Sequence, residues 1–178
     1  MNYIKTILSE WGFSKQGLLN NSKGEWYLFL QILIILLHSI PPYPKIENIA
    51  FPINTLSITV GLGIWIQGLI ITIKAFLDLG ENLTPLPYPM DKSTLIKNNS
   101  YQNVRHPLYK GLLFISLGIC ILSLSLVHFF LLISLAYILK TKALREEEKL
   151  KVKFPDYKKY IKEVPAIIKN INYLDWKS

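Results

Sequence analysis

The sequence predicts an all-α integral membrane protein of about four transmembrane helices, ending in a helical hairpin and a basic helical tail. Three observations predict it. The 178-residue chain is 51% hydrophobic and only 18% charged, with a positive mean hydropathy of +0.29. The stretches Trp26–Ile40, Phe51–Ile73 and Gly111–Leu139 contain no Asp, Glu, Lys or Arg, and a helix crosses a bilayer with about 20 apolar residues. Eleven of the twenty Lys and Arg residues fall in Lys140–Ser178, directly after an apolar run, as expected of a cytoplasmic flank. The length suits one domain.

Met1–Gly24 carries Lys5, Glu10, Lys15 and Lys23 and no apolar core of a secretory leader. Ile4, Ile7, Leu8 and Trp11 fall at helical spacing, which fits either a short interfacial helix or a frayed tail. Residues 1–25 thus read as an interfacial segment and 26–178 as one membrane domain. The first apolar run stops at Pro41-Pro42-Tyr43-Pro44, because proline removes a helix donor and clashes with the preceding turn. The second, about Ile53 to Leu77, is long enough to span with tilt. Its Gly61, Gly63 and Gly68 form a small-residue face for a neighbouring helix, a better reading inside an apolar helix than cofactor binding.

Gly111–Leu139 decides the architecture. As one helix its 29 residues would run ~43 Å, well past a ~30 Å hydrocarbon core. As two arms turning near Ser123-Leu124-Ser125, with the second ending near Lys142, it makes a hairpin. Charge favours the hairpin. Both termini and the loop Asp78–Arg105 then lie inside with Lys5, Lys15, Lys23, Lys92, Lys97, Arg105 and the basic tail, leaving only Lys45 outside. The net charge of +8 reflects this orientation and anionic lipid; no aromatic-basic motif accompanies it, so no nucleic-acid partner is expected. Cys120 reads as a small buried hydrophobe, and no metal-ligand spacing occurs.

The hairpin brings two clusters to one membrane face. Arg105-His106-Pro107-Leu108-Tyr109 opens it, with Pro107 suited to a first helical turn and Arg105 and His106 ahead of a helix N-terminus that favours anions. Arg145-Glu146-Glu147-Glu148 closes it with acids able to hold an ammonium or sulfonium charge. Separately these are ordinary features: interface anchors at one end, and a solvated helix with a Glu147–Lys151 pair at the other. Together, at the two ends of one buried hairpin, they suit a charged cofactor and a greasy substrate.

His106-Pro107-Leu108-Tyr109, the hairpin, and then Glu146-Glu147 with Leu150, Phe154, Tyr157, Tyr160, Val164 and Pro165 resemble the isoprenylcysteine carboxyl methyltransferase family. Its wider relatives include the phospholipid N-methyltransferases. The resemblance covers about Ile73 to Ile168. It implies a membrane-embedded methyltransferase using S-adenosylmethionine without a Rossmann domain, and this chain has no strand-Gly-x-Gly-x-x-Gly-helix unit. By similarity, Ser93, Thr94, Leu95, Ile96, Tyr101, His106, Pro107, Leu108 and Tyr109 would bind the cofactor. Arg105, Glu146 and Glu147 would be catalytic, and Lys142, Arg145 and Glu146 would meet the acceptor.

Two departures stand out. Relatives commonly have Gly-Pro-Tyr or Gly-x-Tyr where this chain has Asn99-Ser100-Tyr101. The prenylcysteine enzymes carry an arginine where this chain has Lys142, which lacks the bidentate fork that matches a carboxylate. The acceptor is therefore left as lipophilic or small, with a carboxyl, thiol, amine or hydroxyl group, drawn from the membrane or dissolved in it. Glu146, Glu147 and Tyr109 are the open choices for a base. An NADPH-dependent sterol or isoprenoid reductase is the enzymatic alternative, though its relatives have more helices than this chain can supply; a non-catalytic membrane scaffold is the other. Intramembrane His38 and His128 lack partners at metal spacing. Asn98-Asn99-Ser100 matches a glycosylation acceptor on the expected inner side, and Pro85–Pro89 reads as a connector across the pocket mouth.

Overall fold

This computed structural model describes residues 11–44 and 51–177; the interfacial positions Ile4, Ile7 and Leu8 and the loop lysine Lys45 lie outside them. Among the described residues all regular structure is helical. The first helix, α1, is Lys15–Asn20, started by Ser14, whose Oγ accepts from Gly17 N at 2.9 Å, and stopped by Asn21 in the left-handed region. Gly24 enters α2, Glu25–Leu37, at φ +85°, and a Cβ there would fall 2.3 Å from Pro87. The position requires glycine on both counts. The expected connector Pro85–Pro89 is an inner wall here, with Leu86 and Pro87 fully buried.

The long helix α3 spans Phe51–Leu79 and passes into a 3₁₀ turn at Gly80–Asn82. After a loop come α4, Ser100–Asn103, then α5, Pro107–Ser123, α6, Leu126–Lys153, and α7, Tyr157–Glu163. Helices α3 and α6 are long and apolar enough to cross a membrane; α2 and α5 are apolar but shorter. Ile66, Ile70 and Ile73 of α3 and Phe130 and Ile133 of α6 turn outward, an apolar surface suited to lipid.

Glycine sets how closely α3 and α5 pack. A Cβ on Gly68 would meet Ile115 N at 2.6 Å and Gly111 O at 2.9 Å, and one on Gly118 would meet Trp65 N at 2.7 Å and Gly61 O at 2.8 Å. The pairs Gly61–Gly118 and Gly68–Gly111 run antiparallel along the crossing, the small-residue contact of membrane helices. Gly63 is not part of it: a Cβ there meets nothing within 4 Å, because two residues of helix turn it away from Gly61.

The chain reverses at Leu124, which is left-handed (φ 43°, ψ 45°), its N–H closing on Cys120 O at 3.1 Å. Ser125 then starts α6, and its Oγ exchanges hydrogen bonds with Tyr43 N and O at 2.9 Å each, tying the α2–α3 connection to the turn. The second arm does not end near Lys142: α6 continues unbroken to Lys153. This overhang carries Lys142, Glu146 and Glu147 over the start of α5. Tyr109, Leu113, Leu135, Leu139 and Ala143 fill the space between the arms, joined by Ile34 of α2 and by Ile167 and Leu174 after α7.

Candidate active site

Arg105 and His106 lie in the short link between α4 and α5. Their N–H groups donate to the Pro165 and Ala166 carbonyls at 2.9 Å each, so the segment after α7 fixes the backbone that precedes Pro107. The Arg105 side chain turns inward with no exposure. Its Nε donates to Glu147 Oε1 at 2.7 Å, Nη1 to the Ile161 and Val164 carbonyls, and Nη2 to Trp176 O at 2.8 Å. Glu147 is equally enclosed. Its Oε1 also accepts from His106 Nε2 at 2.9 Å, and its Oε2 from Trp176 Nε1 at 2.8 Å. Acid and guanidinium share one hydrogen bond, and the remaining partners of each come from His106, Trp176 and the backbone carbonyls around them.

A carboxylate oxygen opposite Nε2 calls for a proton on that nitrogen, so His106 donates to Glu147 through Nε2. The ring stacks on Tyr109 at 5.3 Å, only 3° from parallel. Tyr109 donates its hydroxyl to Glu146 Oε2 at 2.9 Å, and Glu146 Oε1 has no hydrogen-bond donor among the described residues. The two neighbouring acids thus differ, one spent on the framework and one half-buried with a free oxygen.

Two cavities meet here, of about 260 and about 80 Å³. Tyr101, Arg105, His106 and Glu146 line both. Together the cavities reach the lower end of the range for small-molecule sites, about 300 Å³. The larger has apolar walls from Leu28, Phe76 and Leu108, with Gln31 and Lys142 inside it. Lys142, 3% exposed, donates to Gln31 Oε1 at 2.8 Å and lies 5.4 Å from the Tyr109 ring centre. Trp11 reaches this cavity too, so the N-terminal segment contributes to the site.

The smaller cavity is walled by Ser93, Thr94, Leu95, Ile96, Tyr157 and Tyr160 among others. Ser93 Oγ accepts from Lys153 Nζ at 2.8 Å, and Thr94 N donates to Asn82 Oδ1 at 2.6 Å. Lys153 also donates to the Met90 and Asp91 carbonyls, pinning the loop. Burial pushes the phenols of Tyr101, Tyr157 and Tyr160 above the usual tyrosine range, so they remain neutral. Asn99 sits at φ 52°, a conformation that favours glycine. Asp78 holds it there, accepting from Asn99 Nδ2 at 3.2 Å and Ser100 N at 3.0 Å.

Of the residues singled out from the sequence, Ser93, Thr94, Leu95, Ile96, Tyr101, Arg105, His106, Leu108, Tyr109, Lys142 and Glu146 line these cavities. Pro107 is buried as the first residue of α5 and lines neither. Glu147 lies behind the wall. Arg145 is turned away: its Nη2 donates to the Asn21 and Ser22 carbonyls at 2.9 and 2.7 Å. One helical residue rotates it about 100° from Glu146. Gln31 and Trp176 are polar participants that the sequence motifs do not mark, and Leu28 and Phe76 are unmarked apolar walls. Gln31 is the one amide within the apolar helix Glu25–Leu37, a signal that was available. Trp176 acts through tail folding, which left no local signal.

A family model described as phospholipid methyltransferase matches residues 56–156. The chain belongs to the phospholipid methyltransferase family. Membership implies methyltransferase activity at a membrane, and methyltransferases of this family generally use S-adenosylmethionine. Comparison with curated proteins and with solved structures gives no match. The family stretch runs from α3 to the start of α7 and holds Arg105, His106, Glu146 and Glu147. Ile161, Val164 and Trp176, which complete the surroundings of Arg105, lie beyond it.

Proposed function

We propose that this member of the phospholipid methyltransferase family transfers the methyl group of S-adenosylmethionine to a lipophilic or small acceptor. The observation that carries the reading is Glu146. It is the acidic side chain common to both cavities, one oxygen held by Tyr109 and the other free. S-adenosylmethionine supplies a methyl already activated on a positively charged sulfur, so the protein's task is mainly alignment.

The residues present suit that cofactor. Leu95, Ile96, Tyr101 and Tyr157 offer apolar and aromatic walls, aromatic faces attract cations, and Glu146 offers the opposite charge. Leu28, Phe76 and Leu108 make the larger cavity a place for an apolar acceptor, with Lys142 and Gln31 to orient its polar group. A dry site of this kind raises the reactivity of an oxygen, sulfur or nitrogen nucleophile. His106 in its neutral form, oriented by Glu147, presents Nδ1 as the proton acceptor for an amine, thiol or hydroxyl; a carboxylate acceptor needs none. Arg105 and Glu147 act as positioning residues, and Arg145 braces the α1–α2 turn.

The distribution of lysine and arginine supports four spans with both termini and the site on the cytoplasmic side. The test of the function is incubation of the purified protein with methyl-labelled S-adenosylmethionine and a membrane lipid extract. A labelled lipophilic product formed by the wild type and lost in Glu146→Gln is expected. Equal labelling by both proteins would contradict the role given to Glu146.

A further inference from the structure

A separate cavity of about 900 Å³ is walled by α2, α5, α6 and the C-terminal segment and shares no wall residue with the two around Glu146. Its walls include Leu113 and Leu117 of α5, Ile133 and Tyr137 of α6, and Tyr173 and Leu174 of the C-terminal segment. Ile133 and Tyr137 are more than half exposed, so the space is a groove facing whatever surrounds the helices.

Two ammonium groups mark one end of it. Lys110 Nζ lies 5.8 Å from the ring centre of Phe114, and Lys140 Nζ 3.8 Å from that of Tyr173; both rings line the groove. Lys110 precedes Leu124 by fourteen residues and Lys140 follows Leu126 by fourteen, so each stands about 21 Å along its helix from the turn. Neither forms a salt bridge among the described residues. An apolar groove with a cationic rim at one depth is complementary to a lipid with an apolar chain and an anionic head.

We propose that this groove is a binding site for one anionic phospholipid, its acyl chain against Leu117 and Ile133 and its phosphate at the Lys110–Lys140 rim. Ammonium–phosphate contacts are charge-assisted and hold the head group. The occupant also packs on Tyr173 and Leu174, and two residues further Trp176 bonds both Glu147 and Arg105. Filling the groove therefore steadies the tail that braces the catalytic framework. The proposal stands apart from methyl transfer, since the groove shares no wall residue with the cavities around Glu146.

The test uses full-length protein in nanodiscs of equal parts phosphatidylcholine and phosphatidylglycerol, followed by detergent extraction and mass spectrometry of the retained lipid. Each lysine near a membrane surface favours an anionic lipid about fivefold, so the wild type should retain phosphatidylglycerol over phosphatidylcholine by at least about that factor. Lys110→Gln/Lys140→Gln should return the ratio to that of the bulk. Leu117→Trp, which fills the groove, should lower retention of both lipids. Lys158→Gln/Lys162→Gln, on exposed α7 positions, should keep the enrichment. A bulk ratio in the wild type, or equal loss in both lysine pairs, would overturn the site. So would a Leu117→Trp protein that retains its lipid but dissociates from a dimer, because the groove would then hold a second copy. S-adenosylmethionine binding enters none of these readouts.

Discussion

Replacing each of the adjacent acids by its amide separates framework from chemistry. Glu147 accepts from Arg105 Nε at 2.7 Å, His106 Nε2 at 2.9 Å and Trp176 Nε1 at 2.8 Å. A glutamine has one acceptor oxygen, so in either amide orientation an NH₂ faces another donor. One buried unpaired donor costs about 1–3 kcal/mol. Arg105, with no side-chain exposure, also loses its counter-charge, and breaking a buried ion pair costs about 3–5 kcal/mol in all. For a chain of this length that lowers the unfolding midpoint by roughly 10 °C.

Glu146 differs. Its amide can still accept from Tyr109, and the side chain is half-buried, so Glu146→Gln should cost less than about 1 kcal/mol. It should nonetheless lower turnover by about 100-fold, as loss of an electrostatic contact to a reacting centre does. Thermal unfolding in detergent followed by near-ultraviolet circular dichroism, with turnover measured on the same samples, reads both effects. If Glu146→Gln unfolds as early as Glu147→Gln, or Glu147→Gln unfolds with the wild type, the division of labour is refuted.

Other perturbations test the framework and the acceptor side. Gly68→Leu should force α3 from α5 and cost about 1–3 kcal/mol, whereas Gly63→Leu should be neutral; equal midpoints would disprove the crossing. Leu124→Gly relieves a left-handed leucine and should stabilise by roughly 1 kcal/mol, read as a higher unfolding midpoint. Lys142→Gln and Gln31→Leu should raise the KM for acceptor severalfold while leaving S-adenosylmethionine affinity unchanged; a weakened cofactor affinity would place them in the other cavity.

The hairpin was readable because charge reports topology over long stretches: a single helix through Gly111–Leu139 would have separated Arg105 from the basic tail. Its turn was not readable locally, since Ser-Leu-Ser is a weak breaker and Leu124 adopts a conformation that leucine disfavours. The family was readable from His106-Pro107-Leu108-Tyr109 and Glu146-Glu147, because chemistry fixes those spacings. What each acid does was not, for helix phase decides it: Glu147 faces the buried guanidinium, Glu146 the cavity and Arg145 the α1–α2 turn. Gly63 fell outside the α3–α5 contact for the same reason. Trp176 was out of reach altogether, since its contact with Glu147 depends on how Ile167–Leu174 folds back.

The central claim meets its most direct test in calorimetric titration of the folded, detergent-purified protein with S-adenosylmethionine and, separately, with NADPH. The account predicts saturable binding of S-adenosylmethionine, weakened in Glu146→Gln and kept in Lys142→Gln, with no heat from NADPH. NADPH binding without S-adenosylmethionine binding, or silence from both, would contradict it.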